Sequence, residues 1–525
     1  MSSAGTLKEG TSMKKIADEL GGGQDVAIET VQRSGMFGKL LTVERETSAS
    51  IAFSLRSNGV SYRSNVSNMS STRYKGKDGK EDSGLDIGIA PPQHAKWQSI
   101  GAIMVSEVVG AGVLTLSRKY AQLGWIPATI FIVVIFLITV YTSNMMVEVK
   151  KVFPAIISMA DAADYTFGRV ASSFVQVLMA IFLCTTLGDY MLLIGKSLAS
   201  TLYSVHLCFP VWVTISLLVI FPVMQLRTLN STTALCVMNM VSICAAVALV
   251  IAGLVIDGRD PGVETFLVAE DLDFLTFMQA LSAIFFTFGG QFMFYELMAE
   301  MTDFTEFPWT FSIAGPFQVP IYLIVGTVGY HYKGVDASGY FLDNLPFGWM
   351  YRLASALLCF HMLIAFLILG NVLSRILHLY FSPYRVNDLG LRGKLEWLGC
   401  TSLVIVVSFV VANAIPFFEE LTSLIGGLLV PSLNMIFPIL FYIRTKQMVD
   451  LKIKGWEWVV YVFLIAFGAL VTVVSTYMNL KAIIDGWSTY GAPFSCHCDQ
   501  IWNTCDCSPT RMEFTGFNCS IAEAP

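Results

Sequence analysis

Five ionisable side chains stand in stretches that otherwise carry almost no charge: Glu107, Asp189, Lys196, Glu296 and His361. Ionisable groups in long apolar segments are costly to place there and are functional by default. A buried carboxyl can load a proton on one side of a barrier and release it on the other. Glu107 and Glu296 are the first candidates for that role, and His361 follows because an imidazole titrates near neutral pH. Asp189 and Lys196 are seven residues apart, two helical turns along one face, so they can shield each other through water or an intermediate group. The plainer reading of each group is a structural hydrogen bond, and for Lys196 that reading is preferred.

Two glycine clusters adjoin two of these groups, Glu107 and Glu296. One lies in Ser106-Glu107-Val108-Val109-Gly110-Ala111-Gly112-Val113-Leu114-Thr115-Leu116, the other in Phe285-Phe286-Thr287-Phe288-Gly289-Gly290-Gln291. Glycine weakens a helix by about 1 kcal/mol relative to alanine, and irregular backbone at membrane depth persists only where it lines a cavity or is buried in protein. One cluster alone reads as close helix packing. Two clusters at matching places in two halves point to broken helices around a midplane site, as in transporters built from inverted repeats.

The elements that carry these residues follow from composition. The 525 residues are 54% hydrophobic and 14% charged, with mean hydropathy +0.63, against about a quarter charged in soluble domains. Apolar runs of about 18–26 residues recur, each long enough to cross the ~30 Å of a hydrocarbon core as a helix. The expected fold is an all-α polytopic membrane protein, which excludes a nucleic-acid binder, a soluble enzyme and a single-pass receptor. The net charge of −6 points to no particular partner. Eleven transmembrane helices are expected near 98–118, 125–149, 172–204, 211–226, 231–256, 273–299, 309–332, 349–381, 396–415, 419–443 and 456–480. They form a 5+5 inverted repeat with broken first and sixth helices, plus one extra helix.

Three zones result: 1–97, a polar tail expected to be disordered; 98–481, the transmembrane domain; and 482–525, a cysteine-rich tail. No apolar stretch follows Met1, so no signal peptide is expected. With the N-terminus cytoplasmic, the inner loops hold twelve Lys and Arg, from Lys150 to Lys454, and the outer loops five: Arg118, Lys119, Arg259, Lys333 and Arg352. That bias favours this orientation and puts the C-terminus outside the cell or in a lumen. Cys496, Cys498, Cys505, Cys507 and Cys519 then share the outer side with Cys208, a set of six suited to disulfides. A zinc site is the rival reading, disfavoured because its paired spacings are less usual for zinc. The sequon at Asn518 is also outside; those at Asn65, Asn68 and Asn230 are inside and should be silent.

Several motifs carry a resemblance. Gly110-Ala111-Gly112-Val113-Leu114-Thr115-Leu116, followed by Ala121-Gln122-Leu123-Gly124-Trp125, closely resembles the first-span signature of the amino acid/auxin permease family, in the style of its plant amino acid permease and lysine/histidine transporter branches. Tyr190-Met191 with Gly195-Lys196-Ser197-Leu198 resembles the third span of the latter branch. Phe288-Gly289-Gly290-Gln291 with Glu296 is similar to the family's sixth-span break, and Gly329-Tyr330 to the end of its seventh span. His361 takes the place of an eighth-span histidine. Ile415-Pro416-Phe417-Phe418, Gly426-Gly427 and Phe437-Pro438 resemble the ninth-to-tenth region. The resemblance covers roughly 98–445 in order.

It implies the fold of the amino acid–polyamine–organocation superfamily and secondary transport of amino acids, usually driven by protons. The partners are then a small-molecule amino acid, protons and the lipid bilayer, with no nucleic acid, no cofactor and no metal. A zwitterion needs a carboxylate site and an ammonium site, and unwound helices supply both from the backbone. The carboxylate is expected against Gly110, Ala111, Gly112 and Val113. The ammonium is expected at carbonyls near Val108 and from Phe286 to Phe288, beside Gly289, with the substrate side chain facing Phe285, Phe288, Gln291 and Phe292. Ordinary helix packing explains these aromatics equally well.

The chain departs from the family at Ser117-Arg118-Lys119. These cations either pair with Glu419 or Glu420 as a gate or lie in a solvated loop, the reading preferred because exposed charges do little. The fold's usual sodium site needs hydroxyls on the eighth span, and Phe360–Phe366 holds no Ser or Thr, which favours protons. Proton-coupled import at the plasma membrane is the main expectation. Export from a vacuole or lysosome, and an amino acid sensor with little transport, are the alternatives. No catalytic motif of a membrane enzyme is present in the spans.

Overall fold

The structure is a computed structural model. It describes residues 95–490 apart from 109, 206, 226–231, 260, 271, 383–384, 387–389 and 416, together with 493–494. Its helices belong to one compact unit, made by 87–152 and 156–525. The tail 1–94, the sequons Asn65, Asn68, Asn230 and Asn518, and Cys496, Cys498, Cys505, Cys507 and Cys519 lie outside the described residues.

The described residues are mostly helical, and their only strand-like pairing is a bridge between Ala95 and Met301. Nine helices among them are long and apolar enough to cross a membrane, which makes this a polytopic helical membrane protein. The other two expected spans are present as helix but fall short of that length. The first is broken into α1 (Trp97–Val108), a 3-10 segment (Ala111–Thr115) and α2 (Leu116–Leu123); the fourth is the 15-residue α6 (Phe209–Val223).

The breaks follow from local chemistry. At Gly110 the backbone leaves the helix with φ −118° and ψ −145°. Gly124 then takes φ +86°, a conformation suited to glycine, and a Cβ there would meet Val268 Cα at 2.7 Å. Past this turn α3 (Trp125–Val152) begins, and the loop ahead of the sixth span is stitched to it: Trp125 and Ile126 donate to the Phe266 and Leu267 carbonyls at 3.1 and 3.0 Å.

Next, α4 (Met159–Phe167) starts with a capping box between Ser158 and Asp161. Then α5 (Arg169–Thr201) forms the long third span, and α7 (Thr232–Asp257) follows α6. The Asp273 carboxylate caps α8 (Phe274–Thr287), and its hydrogen bonds from Thr276 hold that carboxyl below the usual range. The sixth span breaks at Phe288–Gly290, makes a 3-10 turn (Gln291–Met293) and resumes as α9 (Phe294–Glu300).

A 3-10 segment (Phe304–Thr310) leads into α10 (Phe311–Lys333), then α11 (Trp349–Phe381) and α12 (Leu391–Ala414). The tenth span is not one regular helix. It runs as α13 (Phe418–Leu428), a π-helical turn (Ser432–Ile436) and α14 (Phe437–Met448), before α15 (Gly455–Tyr490) closes the domain. In the most apolar window of each span, the sixth is 72% buried and the eleventh 28%. The broken helix is therefore enclosed by the others, and the last helix presents most of its surface outward, with Val459, Phe463 and Val473 exposed.

Candidate functional site

The two glycine breaks meet. A Cβ on Gly112 would lie 2.9 Å from Thr287 Cα and 3.0 Å from Phe286 Cδ1, so the first span reaches the sixth at a distance that excludes a side chain. The tenth span closes on the same point: a Cβ on Gly426 would lie 2.1 Å from the Ser282 carbonyl oxygen and 2.8 Å from Phe286 Cβ.

Breaking a helix frees backbone groups that must find partners in an apolar setting. In the sixth span they are taken up one by one. The Phe285 and Phe286 carbonyls accept from Phe288 and Gly289 N–H at 3.1 and 2.9 Å. Tyr322 on α10 donates to the Thr287 carbonyl at 2.6 Å. The Phe288 carbonyl accepts both Gly290 N–H at 2.9 Å and the Asn434 amide at 2.5 Å. Asn434 sits in the π-helical turn, so one irregular span supports another. Gln291 anchors the far side of the break, its amide donating to the Thr139 carbonyl, Thr142 Oγ1 and Ser143 Oγ of α3 at 2.8–2.9 Å.

Beside the junction lies a cavity with about 650 Å³ of empty space, part of it open. Gly110, Ala111 and Gly112 line it from the first span; Phe286, Thr287, Gly289, Gly290 and Phe292 from the sixth; Phe182, Thr186 and Tyr190 from the third. None of the described lining side chains is charged. The N–H groups of Ala111 and Gly112 begin a helical segment and have no acceptor within it.

Among the residues expected to bind substrate, the cavity thus gathers Gly110, Ala111, Gly112, Phe286, Gly289 and Phe292. Val113 is buried off the wall. Phe285 packs on Phe467 of α15, with ring centroids 6.2 Å apart, and Phe288 packs on Tyr322 at 5.2 Å. Gln291 faces α3. The side chains of Glu107 and Val108 lie outside the described residues. The structure adds Phe182, Thr186, Tyr322 and Asn434, which sequence reasoning does not single out. Of these, Asn434 carries a signal in the chain, an amide in an apolar run bracketed by Pro431 and Pro438.

The ionisable groups take specific partners. Lys119 is not in a solvated loop: its side chain is 1% exposed and its ammonium lies 2.6 Å from Glu419 Oε1. It also donates to Gln122 Oε1 at 3.1 Å. Arg118 donates to the Val335 carbonyl, and Glu420 stands beside Glu419 in the first turn of α13. Asp189 and Lys196 do not serve each other. Lys196 pairs with Asp343 at 2.6 Å, over the Tyr340 ring, whereas Asp189 faces Thr422, whose hydroxyl is 3.4 Å from both carboxylate oxygens. Glu296 lies on α9, half-buried, within electrostatic reach of Lys150. His361 is buried on α11, with Nδ1 3.1 Å from the Asn239 carbonyl of α7. Cys208 stands at the N-cap of α6.

The profile of the family described as transmembrane amino acid transporter protein matches residues 93–481. The chain is 24% identical over 436 residues to the N amino acid transport system protein of Neurospora crassa, covering 77% of this chain and 89% of that one. It is 24% identical to lysine histidine transporter-like 6 of Arabidopsis thaliana, over 76% of this chain and 93% of that one. It is 22% identical to amino acid transporter AVT3C of Arabidopsis thaliana, over 77% and 94%. These relatives are transporters and not enzymes. With its first and sixth spans broken around one cavity, the chain belongs to the transmembrane amino acid transporter family, the amino acid/auxin permeases.

Proposed function

We propose that this chain carries a neutral amino acid across the plasma membrane by proton-coupled symport and alternating access. The observation that carries this reading is the cavity at the junction of the two breaks, whose described lining side chains carry no charge. The substrate carboxylate takes the Ala111 and Gly112 N–H groups at the positive end of the half-helix that continues into α2. The ammonium takes the second lone pair of the Thr287 carbonyl, since the Phe286 and Phe288 carbonyls each already accept two donors. An apolar wall of Phe182, Phe286 and Phe292 offers no counter-charge, so a charged substrate side chain would be buried unpaired, at a cost of several kcal/mol.

In this reading α1–α2 and α6 also cross the bilayer, giving eleven spans as a 5+5 repeat plus one, with the N-terminus cytoplasmic. Arg118, Lys119, Glu419 and Glu420 then lie at the outer end, and the Lys119–Glu419 pair is a closed outer gate. Cys208 is on that same side; it is not among the free cysteines of the described residues, in keeping with a disulfide to the C-terminal tail. Glycosylation of Asn518 belongs to the same topology.

The test is uptake of a radiolabelled amino acid panel into proteoliposomes under an imposed pH gradient, then a sodium gradient. Accumulation of neutral amino acids driven by an alkaline interior supports the reading. A strict sodium requirement, or preference for lysine or glutamate, contradicts it.

A further inference from the structure

The carboxyl group of Asp189 is fully buried in the middle of α5. Its neighbours one turn before and one residue after, Thr186 and Tyr190, line the cavity. Its polar contact is the Thr422 hydroxyl on α13, at 3.4 Å from both oxygens. Several described charged groups on α5 and on the elements packed around it take other partners. On α4, Asp161 caps its own helix near the start of α5. On α11, Arg352 bonds the Thr201 carbonyl at the far end of α5, and His361 bonds Asn239. On α12, Glu396 pairs with Arg385, beside His378. On α13, Glu419 pairs with Lys119 and Glu420 is its neighbour. Neither α6 nor the 3-10 segment of the first span carries a titratable side chain. On α5 itself, Lys196 pairs with Asp343.

We propose that Asp189 is the group that carries the coupled proton, and that Thr422 transmits its state to the substrate cavity. This rests on the proton-coupled reading above and names its site. An unpaired charge is costly in so closed a place, so Asp189 releases its proton only in a conformation that opens its surroundings. The route to the substrate is short. One turn after Thr422, Gly426 is pressed against the Ser282 carbonyl and Phe286 Cβ, and Phe286 lines the cavity. The same short helix carries Glu419 at its start, against Lys119 of the first span. A shift of α13 on protonation therefore reaches the ion pair and the cavity wall together, while α5 holds the carboxyl. The rival carboxyl on the sixth span stands differently: Glu296 has a cation, Lys150, within electrostatic reach, and Asp189 has none among the described residues.

The test compares wild type, Asp189→Asn, Glu296→Gln and Thr422→Val in proteoliposomes, reading substrate accumulation under a pH gradient, substrate exchange at equal pH, and proton movement by an internal pH dye. Asp189→Asn is expected to lose accumulation by roughly tenfold or more, to show no substrate-linked proton movement, and to exchange substrate at a rate that no longer varies with pH. Thr422→Val is expected to keep proton movement and shift the pH of half-maximal uptake. Wild-type accumulation without response to a pH gradient overturns the proton reading and this proposal together. A wild type that responds, with Asp189→Asn responding equally, overturns this proposal alone, as does loss of proton movement only in Glu296→Gln. Should Asp189→Asn fail to fold, an unshifted pH profile in Thr422→Val overturns it.

Discussion

Lys119 on α2 and Glu419 on α13 are 300 residues apart in the chain and 2.6 Å apart in space. The pair is asymmetric: the lysine side chain is 1% exposed and the glutamate 24%. Water reaches one partner and not the other, so the two are not equally replaceable.

Glu419→Gln is therefore expected to cost more than Lys119→Met. The first leaves a buried ammonium whose described acceptors are both neutral oxygens, the new amide and Gln122; the second leaves a carboxylate that solvent can still reach. Breaking a buried pair costs about 3–5 kcal/mol and an exposed one about 0–1. Partial exposure of Glu419 puts its removal near about 2 kcal/mol. Apparent melting temperatures of the purified variants should fall in the order wild type, Lys119→Met, Glu419→Gln, and the reverse order contradicts the asymmetry.

The close approach of α13 to α8 makes Gly426 irreplaceable. A methyl group there would stand 2.1 Å from the Ser282 carbonyl oxygen, a fixed backbone atom. Gly426→Ala should force the helices apart, with a cost of about 1–3 kcal/mol or more from overpacking, and should abolish uptake. Gly399 on α12 has open space around its position, so Gly399→Ala should leave expression and uptake as in the wild type. Equal behaviour of the two variants would contradict this packing.

The breaks themselves were legible in the chain because glycine clusters at Gly110–Gly112 and Gly289–Gly290 have few other uses inside apolar runs. What each side chain faces beyond a break was not. Phase is read by counting 3.6 residues per turn, and an unwound stretch resets that count. Phe286 therefore lines the cavity while Phe285, Phe288 and Gln291 turn to α15, α10 and α3. The π-helical turn does the same in the tenth span, where nothing in the periodicity distinguishes Asn434 from a lipid-facing amide. The partners of Lys119 and Lys196 were hidden for another reason. Glu419 stood as one of two equal choices, and Asp343 lies in a short loop between spans, where a carboxylate is ordinarily solvated.

Tyr322 is expected to act on the site through the Thr287 carbonyl, to which it donates at 2.6 Å. Tyr322→Phe keeps the ring packed on Phe288 and removes only the hydroxyl. A buried carbonyl left short of a donor costs about 1–3 kcal/mol, and the freed segment between Thr287 and Gly290 loses its fixed geometry. The variant should raise KM for uptake by several-fold, with a smaller change in kcat. An unchanged KM would show that Thr287 is held by the fold without its hydroxyl partner.

The Lys196 ammonium is supported twice over, and its two supports should prove coupled. Asp343 Oδ2 lies 2.6 Å from Nζ, and the Tyr340 ring centroid 3.7 Å from it on another side. Asp343 is itself held by Tyr351, whose hydroxyl donates to Oδ1 at 2.8 Å. In Asp343→Asn the amide oxygen can still accept from Tyr351, and the cation keeps the aromatic face, worth about 2 kcal/mol where it is desolvated. In Tyr340→Leu the cation keeps its carboxylate. Each single variant should therefore lower stability only modestly. The double variant strips both supports from a side chain that is 6% exposed, so its loss should exceed the sum of the singles by about 1 kcal/mol or more. A thermal-unfolding cycle over the four proteins measures that excess. Strict additivity would mean that the ring and the carboxylate act on Lys196 independently.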